Sequence, residues 1–218
     1  MLFRSVMQGN LDLVREILGE YAEPVHTELK LMDQQVDRMR LIVTQLLQYA
    51  RPNDYAGYVE AVDVNAALSS SLVLVEHLLA RTKIRVERQL NATLQAPINR
   101  QELQQVLVNL IANAVQAMPE GGTLTLTTAD WTAPGGQPGL QIEVKDSGAG
   151  LGEELLRELF QPFVTRKKEG TGLGLWISRG IVERYGGDIQ ASNRPAAEGP
   201  GACMTVLLLS ELAPASAA

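Results

Sequence analysis

The stretch Gly170-Thr171-Gly172-Leu173-Gly174-Leu175 follows two other short segments, Asn109-Leu110-Ile111-Ala112-Asn113 and Asp146-Ser147-Gly148-Ala149-Gly150. Alternate glycines alone are weak evidence, because a flexible loop or an empty helix entry has the same pattern. The three segments together provide two amides, a carboxylate on a glycine-rich turn, and a glycine loop before a helix. Free backbone N–H groups at a helix N-terminus favour phosphate. The order of the segments therefore predicts a nucleotide site.

The first segment places Asn109 and Asn113 four residues apart on a predicted helix, so both side chains lie on one helix face. Asparagine is a poor residue for a helix interior, and the neighbouring residues here are apolar. The two amide oxygens could serve a hard cation such as Mg²⁺, which also takes phosphate oxygens and water. Two amides that cap neighbouring loops would produce the same spacing, and this pattern alone does not separate the two interpretations.

The second segment begins with Asp146, which ends an apolar strand pattern and enters a glycine turn. A carboxylate there can accept a hydrogen bond from an exocyclic amine such as that of adenine. Gly148 and Gly150 would let the backbone pass close to the base. An Asx-type turn is the alternative, because Asp-Ser-Gly suits such a turn well.

The third segment belongs to residues 160–175, which we predict to form a loop over the phosphates. Phe160 and Phe163 can anchor this loop in the core, while Thr165 and Lys167 offer a hydroxyl and a charge. The loop glycines supply flexibility and unshielded N–H groups before the next helix; they are Gly170, Gly172 and Gly174. The spacing matches neither a P-loop nor the full dinucleotide-binding pattern.

Composition excludes several other kinds of site. The chain has 218 residues, 45% of them hydrophobic, and a net charge of −6, which argues against a general nucleic-acid surface. A single cysteine, Cys203, excludes an intrachain disulfide, and two dispersed histidines, His26 and His77, are too few for a zinc site. No apolar run reaches the roughly 18 residues of a membrane span, and no secretory signal is visible. We expect a reducing, cytoplasmic compartment.

Residues 6–50 predict two helices, with a turn near 22–24 because proline at 24 disfavours helix in the residue before it. Apolar residues follow each other at alternating spacings of four and three, which indicates a coiled coil or helical bundle. The two seams are Met7, Leu11, Val14, Leu18 and Tyr21, then Val25, Leu29, Met32, Val36, Met39, Val43, Leu46 and Ala50. One hairpin cannot bury both flanks, so we predict a homodimeric four-helix bundle; two amphipathic helices packed on their own domain are the alternative.

The fold class we predict is α+β: a helical hairpin at 1–50, a linker at 51–59, an α/β sandwich at 60–212 with a mixed sheet under helices, and a disordered tail at 213–218. The predicted strands lie at 62–64, 84–86, 92–97, 123–128, 140–145, 188–193 and 202–209. The predicted helices lie at 65–81, 100–118, 153–159 and 174–185. This order is not that of an alternating βαβ unit.

Residues 60–210 resemble the ATP-binding domain of sensor histidine kinases, which is of the Bergerat type shared with gyrase, Hsp90 and MutL. Four motifs carry the resemblance in the family's order: an N box at 102–114, a G1 box at 146–150, an F box at Phe160-Gln161-Pro162-Phe163, and a G2 box at 170–175. The resemblance implies that the domain binds ATP and Mg²⁺.

Residue roles follow from the resemblance in the same way. It implies that Asn113 and Asn109 serve Mg²⁺ and phosphate, that Asp146 holds the adenine amine, and that Thr205 joins Asp146 through water. Gyrase-like ATPases carry a glutamate at the position of Asn109 as the base for hydrolysis. An amide cannot deprotonate water, which fits phosphoryl transfer to a side chain. The remaining residues that it assigns to ATP are Gly148, Gly150, Phe160, Phe163, Thr165, Lys167, Gly170, Thr171, Gly172, Leu173, Gly174 and Leu175.

The helical part resembles the dimerisation and histidine-phosphotransfer domain of the same kinases, on Arg38–Leu47 followed by Ala50-Arg51-Pro52. That family's first helix carries a His-Glu or His-Asp box with Asn-Pro-Leu, and no such box occurs here. We therefore expect the phosphoacceptor histidine to lie upstream of this chain. His26 stands at the predicted turn without the box and is not expected to accept phosphate, and His77 is expected to be a surface or packing residue.

The function we predict is the catalytic portion of a two-component sensor kinase, which transfers the ATP γ-phosphoryl group to a histidine for relay to a response-regulator aspartate. A dimerising ATP-binding module without transfer activity is the alternative, and a gyrase-like ATPase is a third that Asn109 argues against. The expected partners are a second copy of the chain and a response-regulator receiver domain. We expect no nucleic acid, and no membrane contact by this segment even if the full-length protein is anchored in a membrane.

Overall fold

The structure is a computed structural model that describes residues 2–19, 24–33, 35, 36, 39, 58–165, 167 and 170–211. The predicted tail, most of the predicted linker and the second helix beyond residue 39 lie outside these residues. The chain divides into two compact units, Met1–Tyr55 and Ala56–Ala218. Among the described helices, none has both the length and the apolar character needed to cross a membrane.

The first unit contains α1, Leu2–Leu18, and α2, which covers 26–33 and continues at 35, 36 and 39. Helix α1 thus begins four residues before the predicted start at residue 6. Arg15 binds Asp12, at 3.2 Å, and Asp33, which joins the two helices. Leu29 and Val36 are buried, whereas Met32 and Met39 of the same predicted seam are 53% and 47% exposed. Of the five residues of this seam that the structure describes, three are therefore exposed on this chain: Val25, Met32 and Met39.

The second unit is built on a five-stranded sheet in the order β2-β4-β5-β7-β6. These strands are β2 Ile84–Leu90, β4 Gly122–Thr132, β5 Pro138–Asp146, β6 Asp188–Asn193 and β7 Ala202–Leu209. Strand β2 pairs in parallel with β4, and the other neighbours pair antiparallel, so the predicted mixed sheet is confirmed. A separate antiparallel pair joins β1, Glu60–Val62, to β3, Ala96–Ile98.

The helices of this unit are α3 Val64–Leu74, α4 Glu76–Leu79, α5 Arg100–Gln116, α6 Glu153–Glu158 and α7 Gly174–Arg184. Helix α5 contacts both α3 and α7. Alternate residues of β5 are buried beneath the helices, namely Leu140, Ile142 and Val144. The residues between them include Glu143 and Lys145, which form an ion pair of 2.8 Å on the opposite, polar face of the sheet. The sandwich is thus two layers deep, with its core on one face of the sheet.

Several elements differ from their predicted limits. The strand predicted at 92–97 is reduced to β3, and β2 and β4 run beyond the strands predicted at 84–86 and 123–128. The predicted strand at 62–64 ends at Val62, because Asp63 caps α3 by accepting from the amides of Asn65 and Ala66. The predicted helix 65–81 is broken at Val75, whose side chain is only 1% exposed. Burial of Val75 in the core coincides with the break, and a helical propensity pattern does not encode it.

The start of α5 is fixed by side chains. Asn99 accepts hydrogen bonds from the amides of Gln101 and Glu102, at 3.0 and 3.1 Å. Glu102 in turn accepts from Arg184, at 3.0 Å, and from the Tyr185 hydroxyl, at 2.6 Å, at the end of α7. Burial and the bond to Glu102 raise the pKa of Tyr185 to about 12. The start of α5 is therefore tied to the end of α7.

The Asn99 cap leads to a first prediction. Asn99→Ala removes the acceptor for two amides and should lower the free energy of unfolding by about 1 kcal/mol, the usual loss for an N-cap. Urea denaturation measures the change. Asn99→Asp keeps the acceptor oxygen and is the matched control, so equal losses in the two variants would contradict a capping role.

Candidate functional site

The two asparagines of α5 lie on one half-buried face of the helix. The Asn109 amide nitrogen donates to Ser178 Oγ on α7 at 2.9 Å, and the Asn113 amide nitrogen donates to Asn109 Oδ1 at 3.5 Å. These bonds orient the amides across the α5–α7 contact. They leave Asn113 Oδ1 pointing to a cation, which in this structure is the Lys167 ammonium at 2.6 Å.

Asp146 ends β5 and is only 5% exposed. Its Oδ1 accepts from the amide of Gly148 at 2.8 Å and from the amide of Ala202 at 3.3 Å. The pKa of Asp146 is raised because burial removes water from the carboxylate, and the two amides and the Arg194 charge only partly offset this effect. The Gly148 bond is that of an Asx turn, so the turn and a buried acceptor coexist at one residue.

The glycines of the Asp146 turn allow close approach to other elements. A Cβ on Gly148 would lie 2.5 Å from the carbonyl oxygen of Ala117, the residue that ends α5. Gly150 has φ +78°, and a Cβ there would lie 2.9 Å from Asn193 Oδ1. Asn193 holds the next residue, Leu151, by accepting from its amide at 2.6 Å and donating to its carbonyl at 2.7 Å. The turn is thus clamped between α5 and β6.

The two phenylalanines of the predicted loop lie in different surroundings. Phe160 is half-buried, and the Arg179 guanidinium of α7 lies 5.4 Å from its ring centroid. Phe163 is 62% exposed, so the prediction that it anchors the loop in the core is wrong. Phe163 has φ +66°, and among the described residues it is the one non-glycine with positive φ.

Lys167 connects the loop to α5. Its ammonium donates to Asn113 Oδ1 at 2.6 Å and to Gln116 Oε1, and desolvation lowers its pKa. Its amide donates to Thr165 Oγ1 at 3.1 Å, and its carbonyl accepts from the amide of Gly170 at 3.2 Å. A Cβ on Gly170 would clash with Thr165 Oγ1. Thr165, Lys167 and Gly170 therefore form one compact turn over the helix.

The glycine loop packs tightly before α7. Gly172 has φ +69°, and a Cβ there would lie 2.5 Å from the carbonyl carbon of Phe163. A Cβ on Gly174, the first residue of α7, would lie 2.6 Å from Asn109 Oδ1. The α7 N-terminus has no side-chain cap, and amides at a helix N-terminus favour an anionic ligand.

The three other residues of the G2 segment have different surroundings. Thr171 Oγ1 accepts from the amide of Leu173 at 3.4 Å. The Leu173 side chain is fully buried, which leaves its backbone as the part of this residue that a ligand could meet. Leu175 is half-buried within the first turn of α7.

Thr205 is not brought to Asp146. It pairs across the sheet with Glu143, and its hydroxyl lies 3.6 Å from Cys203 Sγ. Residues opposite each other share a sheet face, whereas residues three apart in a strand lie on opposite faces. Glu143 and Asp146 are three apart, so Thr205 faces away from the Asp146 carboxylate. The predicted water link between them is wrong, and Ala202 supplies the contact from β7 instead.

Sequence reasoning missed Gln116, Ser178 and Arg194. Gln116 binds the Lys167 ammonium, and Ser178 accepts from Asn109. The Arg194 charge offsets part of the rise that burial causes in the pKa of Asp146. The spacing of Gln116, three residues after Asn113, was the available signal for that residue.

The two histidines are both exposed, and His77 lies with Nδ1 3.1 Å from the Leu74 carbonyl oxygen. His77 is therefore a surface residue, as expected.

The chemistry of the donor set fits a hard cation held jointly with a ligand. The described residues contain no cluster of three or more His, Cys, Asp or Glu side chains that could hold a metal ion by themselves. Asn109 and Asn113 offer amide oxygens, and Asn113 Oδ1 already accepts from a positive charge. A cation there would have to complete its shell with water and ligand oxygens, as Mg²⁺ does with phosphates.

Comparisons with known proteins agree with this geometry. Residues 98–212 match the family model described as histidine kinase-, DNA gyrase B-, and HSP90-like ATPase. Sensor histidine kinase ZraS of Escherichia coli (strain K12) is 35% identical over 184 residues, which cover 84% of this chain and 37% of ZraS. Signal transduction histidine-protein kinase AtoS of the same strain is 32% identical over 207 residues, which cover 94% of this chain and 32% of AtoS.

A solved structure has the same fold. The catalytic domain of histidine kinase ThkA, in a nucleotide-free form, is 29% identical with a TM-score of 0.58, and the match covers 70% of this chain and 95% of that domain. By contrast, the chain spans only about a third of the length of the curated relatives ZraS and AtoS.

The raised pKa of Asp146 leads to a second prediction. A carboxyl group whose pKa is higher in the folded state stabilises the fold most at low pH, and this contribution is lost as pH rises through the folded pKa. Asp146→Asn keeps an acceptor oxygen and removes the buried charge. Its free energy of unfolding, relative to the unmutated protein, should therefore rise between pH 4 and pH 7. Urea denaturation at both pH values measures this difference, and a constant difference would contradict a raised pKa.

Proposed function

The chain belongs to the family of histidine kinase-, DNA gyrase B- and HSP90-like ATPases, and from that premise we propose that residues 60–212 bind ATP with Mg²⁺ and transfer its γ-phosphoryl group to a protein histidine. One observation carries the proposal: the first predicted motif lies on α5, and the segments that hold the other two contact the same helix. Asn109 meets Gly174, Asn113 meets Lys167, and Ala117 meets Gly148 along α5. A ligand that spans the three motifs would lie along this helix.

The adenine end is assigned to Asp146. The amides of Gly148 and Ala202 both donate to its Oδ1, so Oδ2 is the oxygen proposed to accept from the exocyclic amine. A buried acceptor has few competing water molecules, and a hydrogen bond to a charged group contributes roughly 1.5–3 kcal/mol. Gly148 and Gly150 keep side chains away from the space beside the carboxylate.

The phosphate end is assigned to Asn109, Asn113, Lys167 and the amides that begin α7. Mg²⁺ would neutralise part of the phosphate charge when bound, and Asn113 and Asn109 are the residues proposed to hold it. The N-terminus of α7, which no side chain caps, favours negative charge through the helix dipole. Catalysis of phosphoryl transfer is mainly positioning and charge stabilisation, which these groups supply.

The amide side chain of Asn109 favours transfer of the phosphoryl group to a side chain over hydrolysis of ATP. Its amide is held by Ser178 and lies against Gly174, and an amide cannot take a proton from water. The acceptor in this proposal is a histidine in the family's box, which neither His26 nor His77 occupies. A response-regulator aspartate is the proposed final acceptor.

The assembly proposed is a homodimer through the helical hairpin. Val25, Met32 and Met39 repeat every seven residues and are 37%, 53% and 47% exposed on one chain. A second copy would cover them, as in a four-helix bundle. The division into hairpin 1–50, linker 51–59, ATP-binding domain 60–212 and tail 213–218, and the cytoplasmic location, stay predictions.

A third prediction tests the adenine assignment. Asp146→Asn keeps its oxygen toward the two backbone amides and places an NH2 group where Oδ2 was, so the hydrogen bond to the exocyclic amine is lost. Such a bond to a charged group contributes roughly 1.5–3 kcal/mol, so ADP binding should weaken by about 10-fold or more. Isothermal calorimetry at pH 7 measures the affinity. Thr205→Val alters the opposite face of the same sheet and is the matched control, with unchanged affinity expected. Equal affinity of Asp146→Asn and the unmutated protein would refute the assignment.

A fourth prediction concerns transfer. Incubation of the chain with γ-labelled ATP should leave it without acid-labile label, because no histidine within it stands in the family's box. Extension of the chain by a first helix that carries this box should produce acid-labile label, and replacement of the added histidine by alanine should abolish it. Label on the unextended chain that is lost in His26→Ala would contradict the proposed acceptor.

A further inference from the structure

The Lys167 ammonium is bound by two side-chain oxygens of α5. It donates to Asn113 Oδ1 at 2.6 Å and to Gln116 Oε1. The two acceptors lie three residues apart, so they share a face near the end of the helix. The lysine backbone is held as well, through Thr165 Oγ1 and the amide of Gly170. The ammonium is therefore positioned from the loop side and from the helix side.

Asn113 Oδ1 is also the oxygen assigned to the divalent cation. An ammonium group is a compact charge that only donates hydrogen bonds, and a hard cation needs the same amide oxygen as a ligand. Two positive charges at one neutral oxygen repel each other. Binding of one cation at Asn113 must weaken binding of the other.

Resting on the proposed function, we propose that Gln116 is a positioning residue that holds the Lys167 ammonium on Asn113 in the nucleotide-free protein, where Lys167 competes with the divalent cation. Within the described part of the chain, the hydrogen bond of the Gln116 side chain goes to Lys167, so its effect runs through Lys167. When the cation takes Asn113 Oδ1, the ammonium is released, and its charge becomes available to phosphate oxygens.

The competition couples metal binding to the loop. A lysine held at α5 keeps the turn of Thr165, Lys167 and Gly170 in place, and a cation at Asn113 frees it. Because the two cations compete, a change that loosens the lysine must strengthen cation binding, by at most the factor by which the lysine contact is weakened. Gln116 therefore sets how much Mg²⁺ is needed before nucleotide binding reaches its full strength.

The first experiment uses Mg²⁺ and ADP. ADP affinity is measured by calorimetry over a range of Mg²⁺ concentrations. The Mg²⁺ concentration that gives half of the total gain in ADP affinity, the Mg²⁺ midpoint, is then compared between proteins. Gln116→Leu has a similar size and no acceptor, and this midpoint should fall by about 2- to 10-fold, the range for one hydrogen bond. Gln101→Leu, an exposed glutamine at the start of the same helix, is the control and should not change it.

The second experiment needs neither metal nor nucleotide. Hydrogen exchange at the amides of Lys167 and Gly170 should be faster in Gln116→Leu than in the unmutated protein, because the turn loses its tie to α5. Gln116→Glu keeps an acceptor oxygen and should retain slow exchange. If Gln116 only stabilised the fold in general, Gln116→Glu would not restore slow exchange at these two amides in particular.

The outcomes separate this inference from the proposed function. If the unmutated protein binds no ADP at any Mg²⁺ concentration, the proposed function fails, whereas the exchange experiment still tests the tie between Gln116 and Lys167. If ADP binds but the Mg²⁺ midpoint and the exchange rates are the same in Gln116→Leu and in the unmutated protein, the inference is overturned and the proposed function stands.

Discussion

Helix α5 is buried along one face and carries polar groups along the other, and the whole site depends on this division. Leu103, Leu107 and Leu110 are fully buried, which fixes the rotation of the helix. Asn109, Asn113 and Gln116 then share a neighbouring side of α5, three and four residues apart. A small rotation of α5 would cost core packing and would displace these three amides together. Packing of α5 in the hydrophobic core thus determines the direction in which its polar side chains point.

Glycines allow the loops to approach this helix closely. At positions 148 and 174 the backbone passes so near to α5 that a Cβ would lie 2.5 Å from the Ala117 carbonyl oxygen and 2.6 Å from Asn109 Oδ1. At position 172 the left-handed conformation adds a second restriction. The glycine pattern, which suggests flexibility in the sequence, here has a steric cause at both contacts with α5.

Periodic signals predicted the elements well, and contacts between distant residues were harder to predict. The four boxes identified the family, which the match of residues 98–212 confirms. Thr205 was misplaced because the pairing register with Glu143 decides its face, and register is invisible in one strand alone. Phe163 was expected inside because aromatic rings are usually buried, yet it is 62% exposed at a position where the backbone has a positive φ. Gln116 was missed because one exposed glutamine on a helix has no distinguishing pattern.

The contact between β7 and the Asp146 carboxylate is made by the Ala202 backbone amide. A main-chain donor is present whichever side chain residue 202 carries, with proline as the one exception. Genetic drift at this position can therefore change the side chain without deleting the hydrogen bond. Position 201 is different, because its glycine has φ +141° and a Cβ there would clash with the Asp146 carbonyl oxygen. The two neighbouring positions should accordingly tolerate very different amounts of sequence variation.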